Sequence, residues 1–310
     1  MITIRTDYFY DSCGSGKIHV CRWTPNAEPK AVLQIVHGIA EFAERYDDFA
    51  KHLNSLGYLV VAEDHMGHGK SYEEGSIQGY FHGGWFGGVA DTYKLLQDTK
   101  AEFPDLPYVL FGHSMGSFMT RTILCDHPDS GIAAAIICGT GWQPRFVLPA
   151  LIKIVEGMCK KTGEQNPSEQ LQKLIFGGYN KKFAPARTPN DWLTRDEAIV
   201  DAYANHPLCG FTPACGLIRD MMKGIYHIEQ SKNLTRMQKQ LPILFIAGSD
   251  DPVGAYGKGV EKAVSEFIKA GMTDVSLTLY PQCRHEILNE LNKEEVYSDI
   301  CSWLTAHINR

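Results

Sequence analysis

The residues best suited to chemistry in this chain begin with a serine set between two glycines, in Gly112-His113-Ser114-Met115-Gly116. Glycines two residues to either side let a chain turn sharply where a Cβ would strike neighbouring backbone, so the spacing offers Ser114 as an exposed nucleophile. A serine hydroxyl is a weak nucleophile at neutral pH. It needs a histidine to take its proton and a carboxylate to orient that histidine. Downstream, Gly248-Ser249-Asp250-Asp251 offers two carboxylates and Gln282-Cys283-Arg284-His285-Glu286 a histidine. Spacing alone does not choose between Asp250 and Asp251. Attack on a carbonyl also builds negative charge on its oxygen, which preorganised N–H groups must meet. Met115, just after the serine, supplies one such group. Ile39, in Val36-His37-Gly38-Ile39-Ala40, is the expected second.

These residues work together only if strands deliver them to one edge of a sheet. Strand-like segments Ile2–Tyr10 and Lys17–Trp23 flank a glycine-containing turn and predict an opening hairpin. Apolar runs at Ala31–Val36, Tyr58–Ala62, Pro107–Phe111 and Ile132–Cys138 then alternate with helical periodicity, as in Val89, Tyr93, Leu96 and Phe103. Such alternation calls for a mostly parallel sheet with helices on both faces and functional residues at the carboxyl ends of the strands. From Gly139 to Gln240 the strands stop and helical stretches dominate, which predicts a helical cap insertion. The sheet resumes at Pro242–Ala247, continues through a helix at Gly257–Ala270 and a strand at Val275–Tyr280, and closes with a helix bearing Val296, Ile300 and Ile308. The expected organisation is α/β, with a core at 1–138 and 241–310 and a cap at 139–240. Ser114, the acid and His285 then each follow a strand, in the chain order Ser, Asp, His.

Composition narrows the class. The chain has 310 residues, 44% of them hydrophobic, and a net charge of −6 without a basic cluster. That argues against nucleic acid as partner and against a polybasic membrane anchor. No apolar run approaches the ~20 residues needed to cross a bilayer, and Met1–Arg5 do not form the start of a secretion signal, so a cytoplasmic location is expected. Nine scattered cysteines without a Cys-x-x-Cys pair read as reduced packing residues, not as a disulfide framework or a zinc site. The chemistry requires no cofactor and no metal. His65 and His68, whose spacing suggests a metal pair, sit in a glycine-punctuated turn where Asp64 and Ser71 are expected to hold backbone groups.

Taken together, several motifs resemble the monoacylglycerol lipase and lysophospholipase-like branch of the α/β-hydrolases, which includes serine-aminopeptidase-type enzymes. They are His37-Gly38-Ile39-Ala40-Glu41 with Arg45-Tyr46, Asp64-His65-Met66-Gly67-His68-Gly69-Lys70-Ser71, the Ser114 pentapeptide, Gly248-Ser249-Asp250-Asp251 and the His285 segment. The similarity spans nearly the whole chain, and Phe183 to Phe211 is similar to bacterial members. It implies an α/β-hydrolase fold, a small-molecule ester substrate and Asp251 as the acid. Ile39 and Ala40 depart from the small residues found after the His-Gly pair in many relatives, and their bulk is expected to narrow the acyl pocket.

An amphipathic helix from Phe146 to Met158, with Trp142, Met221, Met222 and Tyr226, is a candidate lining for an acyl tunnel and a candidate peripheral contact with a membrane. Two other functions are consistent with the same fold. An aminopeptidase needs cap carboxylates for a substrate ammonium, for which Glu156, Glu164, Glu169, Asp191, Asp196 and Glu197 are available. A ligand receptor needs no catalysis, but such proteins commonly lack a member of the triad. An aspartate nucleophile, as dehalogenases and epoxide hydrolases use, is disfavoured by Ser114. Cys283, two residues before His285, reads as a small buried residue.

Overall fold

A computed structural model describes residues 3–72, 75–144 and 146–308. The sheet begins with the hairpin β1 (Ile4–Asp11) and β2 (Lys17–Thr24). The expected start of the first strand at Ile2 lies outside the described residues. The chain continues through β3 (Ala31–Val36), α1 (Asp47–Ser55), β4 (Tyr58–Glu63), α2 (Gly84–Glu102), β5 (Tyr108–His113), α3 (Met115–Asp126) and β6 (Ala134–Cys138). Among the described residues, five α-helices follow: α4 (Val147–Thr162), α5 (Glu169–Phe176), α6 (Glu197–Asn205), α7 (Cys215–Ile228) and the single turn α8 (Ser231–Leu234). Then come β7 (Ile243–Gly248), α9 (Lys258–Lys269), β8 (Val275–Tyr280) and α10 (Lys293–Ile308).

The eight strands form one sheet in the order β1-β2-β4-β3-β5-β6-β7-β8. β2 runs antiparallel to both β1 and β4, and the pairs from β4 through β8 are parallel. Parallel strands covered on both faces need apolar side chains on both, which is why β3, β4, β5, β6 and β7 are buried along their whole length. One face is packed by α1 and α10, through residues such as Phe49, Leu53, Tyr297 and Leu304. The other is packed by α2, α3 and α9, through Trp85, Met119, Ile123 and Phe267. This is the α/β-hydrolase arrangement.

The stretch between β6 and β7 is helical, and its parts pack differently. α7 lies against α2 and α3 as well as α4, so its apolar face joins the layer that covers the sheet. Gly224 permits this approach, since a Cβ there would press into the Trp85 ring. No described helix is long and apolar enough to cross a membrane.

Candidate active site

β5 delivers Ser114 by a turn with no slack. Its backbone sits at φ 54°, ψ −120°, where a residue with a side chain carries strain of about 1–3 kcal/mol that the surroundings must hold. The two glycines explain how they do so. A Cβ on Gly116 would collide with the carbonyl of Val36 and stand 2.6 Å from that of His37; one on Gly112 would be 2.5 Å from the Gly116 carbonyl. Strand end, helix start and the loop after β3 are therefore pressed together. The Ser114 N–H is held by the Cys138 carbonyl at 3.0 Å.

His285 follows β8, and Asp251 follows β7. The His285 Nδ1–H donates to Asp251 Oδ2 at 2.9 Å, and both residues are buried. The other oxygen, Asp251 Oδ1, accepts the Val253 N–H at 2.8 Å. A carboxylate bonded to Nδ1 orients the ring and leaves Nε2 free to accept a proton. Asp250 instead pairs with Lys182 at 2.7 Å on a half-exposed surface. The two carboxylates that spacing could not distinguish thus have different partners. Gly139, after β6, gives the histidine room, because a Cβ there would be 3.1 Å from His285 Cε1.

Ser114, His285, Ile39 and Met115 all line one cavity of about 640 Å³, while Asp251 stands behind His285. Met115 opens α3, where the first N–H groups have no intrahelical acceptor. Gly38 lies against the serine; a Cβ on it would be 3.1 Å from Ser114 Cβ. Ala40 takes φ 55°, a left-handed conformation unusual for alanine. Its carbonyl accepts two hydrogen bonds, from the Tyr203 hydroxyl and the Gly210 N–H, each at 3.0 Å. Among the expected tunnel residues, Met221 and Met222 line the cavity with Leu148, Leu151, Ile175 and Phe176. Trp142 packs over the Arg121 guanidinium instead, and Tyr226 is on the exposed side of α7. Cys283 is fully buried, and burial pushes its thiol pKa up.

Sequence reasoning gave no role to a buried ionic cluster beneath these loops. Glu41 Oε1 accepts the Gly38 N–H at 2.6 Å, the Tyr46 hydroxyl at 2.9 Å and His113 Nδ1–H at 3.1 Å. Glu41 Oε2 accepts from Arg45 at 2.7 Å, and Arg45 makes a bidentate pair with Glu286 at 2.8 and 2.6 Å. Glu41 therefore touches the loop of Ile39, and Glu286 adjoins His285. Burial opposes charge on all four groups, but mutual attraction prevails. It leaves Glu41 and Glu286 below the usual carboxylate range and His113 and Arg45 above their ordinary values. In the cluster the two carboxylates face the Arg45 guanidinium and an imidazole whose protonation they favour. The motif Glu41-x-x-x-Arg45-Tyr46 carried the signal, but Glu286 is 241 residues from Arg45 and no local pattern joins them.

A second contact system joins the segment before α6 to the histidine loop. The Trp192 carbonyl accepts the His285 N–H at 3.4 Å, and the Leu193 carbonyl accepts the Glu286 N–H at 2.7 Å. The Trp192 ring is 5.0 Å from that of His285. Arg284 donates to the carbonyls of Asp191 and Thr194 and stacks on Phe183 at 4.2 Å.

The family model described as serine aminopeptidase, S33, matches residues 27–292. The chain belongs to this family of α/β-hydrolases. It is 35% identical to a monoglyceride lipase homolog of monkeypox virus, covering 98% of this chain and 96% of that one. It is also 27% identical to a monoacylglycerol lipase of Mycolicibacterium smegmatis, over 98% of both. Among solved structures, a thermostable carboxyl esterase from Bacillus coagulans in complex with glycerol superposes with a TM-score of 0.90. It is 30% identical and covers 99% of this chain and 100% of that one. This S33 hydrolase is an ester-hydrolysing enzyme of the lipase and esterase type.

Proposed function

We propose that the enzyme cleaves monoacylglycerol-like esters through an acyl-enzyme on Ser114. The observation that carries this reading is the strained Ser114 turn in an apolar cavity shared with a histidine that Asp251 orients. His285 Nε2 takes the Ser114 proton as Oγ attacks the ester carbonyl, and the N–H groups of Ile39 and Met115 receive the developing oxyanion. His285 then protonates the departing alcohol. Water, deprotonated by the same nitrogen, releases the fatty acid and restores the serine. Asp251 holds the imidazole and stabilises its cation. No cofactor takes part in these steps.

The segment 139–240 acts in this reading as the cap, with α4 to α6 over the cavity and α7 and α8 anchored on α2 and α3. Leu148, Leu151, Ile175, Phe176, Met221 and Met222 are suited to an acyl chain. Exposed Phe146 and Ile154 give the α4 side of the cap an apolar outer surface for peripheral contact with a lipid interface. A cytoplasmic location belongs to the same proposal and agrees with nine free cysteines.

The aminopeptidase reading finds little support. Of the six cap carboxylates only Glu169 lines the cavity. Glu156 and Glu164 pair with Lys223 and Arg219, Asp191 accepts the Arg187 and Thr188 N–H groups, and Asp196 caps α6. The deciding experiment compares kcat/KM for p-nitrophenyl laurate and butyrate, with Ser114→Ala as blank, followed by 1- and 2-monoacylglycerols. Preference for laurate and turnover of monoacylglycerols are expected. Ser114-independent activity, or release of amino acids from peptides in place of ester cleavage, would overturn the proposal.

A further inference from the structure

At the sheet edge remote from the serine, three potential metal-binding side chains converge that the hydrolytic chemistry does not use. His19 and Cys21 stand two residues apart on β2, so their side chains project from the same face. Asp7, on β1, is the register partner of Cys21. One ligand atom from each of Asp7, His19 and Cys21 lies within 4.8 Å of the others. His19 and Cys21 are fully buried, and the Asp7 side chain is 29% exposed and forms the opening to solvent.

The histidine carries the argument. Its Nδ1–H donates to Asp64 Oδ2 at 2.8 Å, and Asp64 also accepts the backbone N–H groups of Ala43 and Lys70. These three hydrogen bonds fix the Asp64 carboxylate in place, and the carboxylate in turn orients the imidazole. Nε2 is left pointing at Asp7 and Cys21, buried and without a hydrogen-bond partner among the described residues. It lies 3.3 Å from Asp7 Oδ2, out of hydrogen-bonding alignment. Two ligands bound tetrahedrally to zinc at about 2.0 Å stand about 3.3 Å apart. A carboxylate behind a histidine whose other nitrogen is bare is the arrangement that supports a metal ligand.

We propose that Asp7, His19 and Cys21 form a site for a zinc-class divalent cation, with Asp64 orienting the histidine and a fourth position open to water at the Asp7 side. Cys21 binds as the thiolate and its proton passes to solvent, so one S–H bond is replaced by one S–metal bond with no change of oxidation state. The surrounding charges accommodate the ion. Asp7 is paired with Arg5 and Lys70 at 3.0 Å, and both cations also reach Glu44, which retains them when Asp7 turns to the metal. With Cys21 neutral, Asp7, Asp64 and Glu44 against Arg5 and Lys70 leave one net negative charge; a dication bound to the thiolate brings the group to zero. Such an ion would clamp the β1–β2 hairpin onto the loop after β4.

The test uses the full chain, stripped with chelator, incubated with equimolar zinc chloride and passed through gel filtration. The expected result is one zinc retained per chain, with retention at least tenfold lower in Asp7→Asn, His19→Gln and Cys21→Ser. Cobalt(II) in place of zinc should give a near-ultraviolet thiolate-to-metal absorption that Cys21→Ser abolishes. Hydrolysis of p-nitrophenyl butyrate reports that each variant is folded, and Asp7→Asn, at the exposed opening, decides the matter if a buried variant is not. Absence of stoichiometric zinc in the parent chain, or undiminished retention in folded Asp7→Asn, would overturn the site.

Discussion

Tyr203 of α6 donates its hydroxyl hydrogen to the carbonyl of Ala40, 3.0 Å away and 163 residues earlier in the chain. Ala40 is the left-handed residue next to Ile39, so a side chain from the segment above the cavity steadies the loop proposed to receive the oxyanion. Removing one neutral hydrogen bond costs about 1 kcal/mol, equivalent to about fivefold in rate if the loss is felt in the transition state. Tyr203→Phe is therefore expected to lower kcat about three- to tenfold with little change in KM. Steady-state kinetics on a short ester check this. A rise in KM at constant kcat would instead assign Tyr203 to substrate binding.

Ser114→Ala and His285→Ala should each reduce kcat on the order of 10⁴-fold while the fold is retained, because the members of such a triad act as a unit. Circular dichroism and fluorophosphonate labelling, carried out together, separate lost chemistry from lost structure. The two neighbouring carboxylates should behave differently. Asp251→Asn should cost several orders of magnitude, whereas Asp250→Asn, which breaks only the half-exposed pair with Lys182, should stay within about threefold of the parent.

Arg45 joins two carboxylates that are nearly inaccessible to water. Arg45→Met would strand Glu41 and Glu286, and breaking a buried pair of this kind typically costs about 3–5 kcal/mol. Denaturant unfolding should show that loss. Adding Glu286→Gln should restore part of it by removing one stranded charge. Full stability in Arg45→Met would mean that water reaches the cluster.

Stability should decline on both sides of neutrality, for different histidines. Burial holds His68 down at about 4 and pushes His37 below its ordinary 6.5, so both fold as neutral rings. The unfolded chain binds their protons first, and the stability they contribute is lost as pH falls from 6.5 towards 4. For His68 alone the loss reaches about 3 kcal/mol. His113 has the opposite sign. Its folded pKa is raised, since Glu41 outweighs burial, so its contribution is complete below 6.5 and disappears as pH rises through the raised value. Melting temperatures across pH 4 to 9 should show the acid limb, and His113→Gln should flatten the alkaline one.

The sheet was legible because its strands announce themselves locally. Ala31–Val36 and Val275–Tyr280 match the expected limits, while Ile132 and Ala133 proved to precede β6 rather than to begin it. Ser114 was legible for the same reason, since two glycines and a strand end are contiguous. Between β6 and β7 the helical character was legible but the packing was not. Whether Met221 or Tyr226 faces the cavity depends on how α7 rotates against α2 and α3, and that rotation is set by partners such as Trp85 more than 130 residues away. The cluster of Glu41, Arg45, His113 and Glu286 was hidden because each member looks like an isolated charge until the sheet brings the ends of β3, β5 and β8 together.

Among the described residues, the hydrogen bonds by which the segment between β6 and β7 holds the Ala40 loop and the His285 loop come from one stretch of chain, 190–210. Among the described residues, the hydrogen bonds of α5 instead remain within its own neighbourhood, at Ser168, Lys173 and Phe176. Mutational freedom is divided accordingly. A substitution in 190–210 risks disturbing the reacting groups, whereas α5 can change its cavity-facing residues Leu174, Ile175 and Phe176 without breaking a bond to either loop. New substrate preferences in this lineage should therefore arise at α5, with the chemistry unchanged beneath them.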